Sequence, residues 1–104
     1  MAFIYDKDEN NIVTLTIDME GRSVNVINES YSISLLETVK RLEGESDVIG
    51  VIITSAKKTF LAGADLEMLY RQKDPQACYE LVEAGKATMR RLELLGKPIV
   101  AAVN

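Results

Sequence analysis

The sequence predicts an α/β fold: parallel strands joined by helical crossovers, preceded by a hairpin. Three observations carry that expectation. Residues 11–18, NIVTLTID, alternate apolar and threonine side chains with period two. Two segments, 28–43 and the one following Asp74, place apolar residues at helical spacing. Each of these is followed by a short, nearly unbroken apolar run, VIGVIIT at 48–54 and PIVAAVN at 98–104. A strand, helix, strand order calls for parallel pairing with a right-handed connection.

The elements follow in chain order. Residues 3–5 form a short partner strand, and DKDENN supplies a solvated turn into the strand at 11–18, which buries Val13, Leu15 and Ile17 on one face. Ile33, Leu35, Leu36, Val39 and Leu42 line one side of the first helix, with Asn28 or Ser30 as N-cap and Gly44 to end it. The run at 48–54 is too short for a helix and too continuous for a half-exposed strand, so both of its faces are expected to be buried. The chain then narrows to Ala62, Gly63, Ala64 and Asp65 before a short helix at 66–72. Asp74 caps a second long helix with Pro75 at its first position. That helix directs Cys78, Leu81, Val82, Met89, Leu92 and Leu95 to the core and ends at Gly96 and Pro98; Tyr79 on it and Tyr70 on the short helix are expected to be half-buried. Residues 1–104 read as one partial domain, the N-terminal piece of a longer protein, because the last strand needs cover that these elements do not supply.

Composition narrows the function classes. Of 104 residues, 47% are hydrophobic and 27% charged, which suits a soluble globular fold. A net charge of -4 argues against nucleic acid or an anionic membrane surface as partner. No apolar run approaches the roughly 20 residues of a membrane span. The lone Cys78 rules out an internal disulfide and, with no export signal in MAFIYDKDENN, points to the cytoplasm. With no histidine in the chain, neither a Ser-His-Asp triad nor a histidine-ligated zinc is available.

The small residues at 62–65 stand at the carboxyl end of a buried strand, where open α/β folds collect ligands. Small side chains let a ligand approach the backbone, so main-chain N–H and C=O groups become the recognition surface. The same four residues also suit a plain tight turn in which Asp65 caps the following helix.

Taken together, GVIITSAKKTFLAGADLEML and GKPIVAAVN resemble the first half of the crotonase family, the enoyl-CoA hydratase and isomerase superfamily. An earlier family segment, A-L-N, matches Ser23, Val24 and Asn25. The variant SVNVI is similar to the hydratase module of multifunctional fatty-acid oxidation proteins. The resemblance implies the N-terminal part of a crotonase-like ββα spiral fold, incomplete at the C-terminus. It further implies an acyl-CoA thioester as substrate, with coenzyme A as part of that substrate and no separate cofactor or metal. Ala64 matches the first of two backbone N–H donors of an oxyanion hole for a thioester enolate. Contacts to the CoA ester fall to Val24, Lys58, Ala62, Gly63, Ala64, Leu66 and Leu69, with Lys58 facing phosphate and Lys57 solvated. Glu67 stands where some members carry lysine. The second donor and the two catalytic glutamates belong to later family segments, so the resemblance implies a lyase or isomerase whose first 104 residues are inactive alone. Assembly as a homo-oligomer is the family habit. The rival reading is a non-catalytic α/β interaction or regulatory domain.

Overall fold

The computed structural model describes residues 2–65, 70–71 and 74–103. Its element order is β1 (Phe3–Lys7), β2 (Ile12–Ile17), α1 (Glu29–Gly44), β3 (Gly50–Ser55), α2 (Pro75–Glu93) and β4 (Ile99–Ala101). The four strands form one sheet in the order β1-β2-β3-β4. β1 and β2 are antiparallel, whereas β2–β3 and β3–β4 are parallel. The hairpin and both crossovers therefore stand as the sequence predicts.

Local chemistry explains the boundaries. The hairpin turns on Asp8, whose Oδ1 accepts from the Asn10 and Ile12 N–H groups at 2.8 and 3.0 Å. Asn11 sits at φ 63, a left-handed conformation that asparagine tolerates better than most side chains. Asn28 is the N-cap of α1, its Oδ1 accepting from the Tyr31 N–H at 2.9 Å. Asp74 caps α2 in the same way through the Gln76 N–H at 3.0 Å, with Pro75 behind it. Such caps satisfy donors that a helix cannot satisfy internally.

The core lies on one face of the sheet. Pairing aligns Ile17 with Phe3 and Ser55, Leu15 with Tyr5 and Ile53, and Val13 with Lys7 and Val51. Alternation sends all of these side chains to the face that α1 covers with Leu35, Val39 and Leu42. Full burial of each such aliphatic side chain is favourable by about 1.5–3 kcal/mol.

The opposite face departs from expectation. It carries Ile4, Thr14, Thr16, Ile52, Thr54 and Val100, and Val100 is 58% exposed. The run at 48–54 is not buried on both sides, since in β3 only Val51 is fully buried; in β4 Val100 and Ala101 are exposed, as expected of a last strand whose cover these elements do not supply. The run of apolar residues registers demand for cover, but α1 supplies it on one side only.

α2 differs for a related reason. It meets α1 at its C-terminal end, where Leu92 is buried and Arg91 makes a two-pronged pair with Glu43. Leu81, Val82, Met89 and Tyr79 are exposed, and Cys78 is half-buried. Tyr70 is exposed as well, not half-buried. Of the short helix expected at 66–72, Tyr70 and Arg71 are helical; Leu66, Glu67, Leu69 and Gln72 lie outside the described residues.

Candidate functional site

Two loops meet at the carboxyl end of the sheet. One leaves β2 and runs through residues 18–28; the other leaves β3 and runs through 56–65. Three backbone hydrogen bonds join them: Ala62 N–H to Asn25 C=O at 2.7 Å, Ile27 N–H to Gly63 C=O at 2.7 Å, and Asp65 N–H to Ile27 C=O at 2.9 Å. The last two make an isolated parallel bridge between Ile27 and Ala64.

That bridge sets the direction of one peptide. In a parallel bridge the residues flanking the bridged position bond to its partner, so the bridged residue turns its own N–H and C=O to the other edge. Here Gly63 and Asp65 bond to Ile27, and the Ala64 N–H faces away and meets no acceptor among the described residues. Ala62, Gly63 and Ala64 are all exposed, so the outward edge is open. Gly63 has φ 88, and no atom of the described residues beyond its chain neighbours lies within 4 Å of where a side chain would project. The left-handed angle lets successive residues, Ala62 as donor and Gly63 as acceptor, both address the 25–27 segment.

Asn25 is the residue whose role the sequence did not disclose. It is completely buried, and its amide is the hub of the site. Its Oδ1 accepts from the Met19 N–H at 3.2 Å, while Nδ2 shares its two protons among three acceptors, Ser55 Oγ at 2.8 Å, Ile17 C=O at 3.0 Å and Phe60 C=O at 3.2 Å. Ser55 Oγ in turn donates to Thr59 C=O and accepts from the Lys57 N–H. One side chain thus ties the ends of β2 and β3 to the loop that carries Ala64. The only signal in the sequence was its place in the SVN segment.

The charged residues sort differently from expectation. Lys57 is not a solvated lysine: its Nζ lies 2.8 Å from Asp18 Oδ1 and its side chain is 16% exposed. Lys58 is exposed on the same loop. Asp65 pairs with Arg22 across the two loops, Nη2 to Oδ2 at 3.2 Å. Whether Asp65 caps a following helix concerns residues outside the described set. Val24 is half-buried and packs against the core.

The YDKDEN segment is likewise no simple solvated turn. At the opposite end of the sheet the Tyr5 hydroxyl donates to Glu45 at 2.6 Å, and Lys7 pairs with Asp47 at 2.6 Å. Arg41 lies 3.7 Å over the Tyr5 ring. Burial, reinforced by the bond to Glu45, pushes the Tyr5 hydroxyl well above the usual phenol range. The same bond holds the Glu45 carboxyl below its ordinary value, and Lys7 does so for Asp47. Being at the amino ends of β2 and β3, this network braces the sheet and is remote from Ala64. No group of three or more acidic, cysteine or histidine side chains is placed to hold a metal among the described residues.

Known proteins resemble this chain over nearly its full length. The family model for enoyl-CoA hydratase/isomerase matches residues 7–104. The chain is 33% identical over 104 residues to the fatty acid oxidation complex subunit alpha of Idiomarina loihiensis, covering 99% of this chain and 15% of that protein. The corresponding Shewanella loihica subunit is 32% identical with the same coverage. Among crystal structures, an enoyl-CoA hydratase of Mycobacterium smegmatis superposes with a TM-score of 0.90 at 25% identity, over 99% of this chain and 40% of the hydratase. One from Shewanella pealeana reaches 0.88 at 16% identity, which speaks to fold alone. The chain thus spans 15% of the length of these curated relatives and about 40% of the hydratases. Its α/β architecture is the N-terminal part of the crotonase-like fold, and the chain belongs to the enoyl-CoA hydratase/isomerase family.

Proposed function

We propose that this chain is the acyl-CoA-binding half of an enoyl-CoA hydratase/isomerase of fatty-acid β-oxidation, and that the Ala64 N–H is one of two backbone donors to the thioester oxygen. The observation that carries the reading is the Ala64 peptide itself, exposed and turned outward by the bridge to Ile27. When water adds to the β-carbon of an enoyl thioester, the new C–O bond pushes the double-bond electrons towards the carbonyl, and negative charge grows on its oxygen. A donor already aimed at that oxygen strengthens its hydrogen bond as the charge develops and needs no reorganisation. Removing one such donor typically costs roughly 3–4 kcal/mol of transition-state stabilisation.

Gly63 leaves the approach to this N–H clear of a side chain. Exposed Ala62 offers further backbone to the adenine end of the CoA ester, and Lys58, on the same loop, is available to a phosphate. Val24 flanks the site, while the family resemblance assigns Leu66 and Leu69 to the adenine and acyl ends. Coenzyme A enters as part of the substrate, so hydration calls for no separate cofactor. The proton transfers fall to glutamates of later family segments, and the complete enzyme works as a cytoplasmic homo-oligomer.

The test is an amide NMR titration of the 104-residue chain with crotonyl-CoA, alongside a hydration assay. The Ala64 resonance is expected to move downfield with the ester and not with free CoA, and no hydration is expected. A stationary Ala64 amide in a chain that otherwise binds would return residues 62–65 to the role of a turn in an interaction domain.

A further inference from the structure

Arg22 stands on the β2 loop, and its guanidinium reaches across to Asp65, the residue directly after Ala64. The Ala64 peptide lies between two unlike neighbours. On one side Gly63, at φ 88 and without a side chain, is the least restrained residue type a backbone can hold. On the other, Asp65 is tied to the β2 loop twice, by its N–H to Ile27 C=O at 2.9 Å and by its carboxylate to Arg22 at 3.2 Å. The Asp65 side chain is 17% exposed and that of Arg22 40%. An ion pair this accessible contributes little to global stability, so its effect must be sought in local geometry.

We infer that Arg22 is a positioning residue: by gripping Asp65 it holds the outward aim of the Ala64 N–H. The inference rests on Ala64 being the donor.

Two readouts on the 104-residue chain separate this role from its alternatives. In Arg22→Ala, hydrogen exchange at the Ile27 and Asp65 amides is expected to quicken roughly two- to five-fold, the range an exposed pair supports, with Leu15 and Val51 unchanged. Affinity for crotonyl-pantetheine, which lacks the nucleotide phosphates of CoA, should fall by a similar factor. Arg22→Lys should retain most of both, and the exchanged pair Arg22→Asp with Asp65→Arg should restore the exchange rates. Unchanged exchange in Arg22→Ala would overturn the inference, as would equal acceleration at Leu15 and Val51, which marks general destabilisation. A loss of affinity confined to crotonyl-CoA, with crotonyl-pantetheine unaffected, would also overturn it and make Arg22 a phosphate contact. If the exchange results hold while the wild-type Ala64 amide ignores both thioesters, the clamp stands and the proposed donor role fails.

Discussion

Replacing Asn25 with leucine or aspartate tests whether one buried amide assembles the site. Leucine removes every hydrogen bond of the amide, to Met19, Ile17, Ser55 and Phe60, without opening a large void. Their loss is not uniform. Ile17 C=O retains the Ala56 N–H at 3.0 Å, and Ser55 Oγ retains Thr59 and Lys57. The Met19 N–H and Phe60 C=O lose the amide, and Met19 is buried. Ordinary net hydrogen bonds contribute about 1 kcal/mol each and a stranded buried donor costs about 1–3 kcal/mol, so Asn25→Leu should destabilise by about 3–5 kcal/mol. Aspartate keeps the acceptor for Met19 but turns a second oxygen towards the carbonyls of Ile17 and Phe60. Its folded-state pKa must therefore rise. A raised pKa contributes stability that is complete below the unfolded value, about 3.9, and is lost as pH climbs through the folded value. Urea unfolding at pH 5 and pH 8, with the slope checked for constancy, reads both variants. The deficit of Asn25→Asp relative to wild type should widen from pH 5 to pH 8. A deficit under about 0.5 kcal/mol at pH 8 would refute the hub role, since surface substitutions alone produce that much.

Three further outcomes are expected. Glu43, Glu45 and Asp47 have carboxyls held below their ordinary values, chiefly by Arg91, Tyr5 and Lys7, so the stability they contribute is present above those values and lost as pH falls below them; acid unfolding should be milder in Glu45→Gln, and an identical acid profile would count against the network. Gly63→Ala should cost about 1–2 kcal/mol through its left-handed angle, because none of the described residues beyond its chain neighbours lies within 4 Å of the new methyl; a neutral result in thermal melts would argue against that backbone conformation. The exposed apolar residues Val100 of β4 and Val103 just beyond it should drive self-association of the chain, weakened by Val100→Lys; light scattering showing a monomer at high concentration would contradict this.

The sequence by itself determined the hairpin, the two capped helices and the parallel strand order, because each rests on signals within a few residues: alternation at Val13, Leu15 and Ile17, an asparagine before α1, an Asp-Pro pair before α2. It also singled out residues 62–65, since two alanines, a glycine and an aspartate beside a strand end are a local pattern. Only the tertiary structure decided which way the Ala64 N–H points, because that direction depends on Ile27, thirty-seven residues earlier in the chain. The same distance hid the hub at Asn25, which draws on Ile17, Met19, Ser55 and Phe60, and the pairings of Arg22 with Asp65 and Lys57 with Asp18. Apolar periodicity states that a face wants cover without naming what covers it, so the burial expected for α2 and for the second face of β3 and β4 was decided by where α1 lies. Short-range preference shapes each element, whereas hydrogen-bond partners and solvent exposure are properties of the assembled sheet.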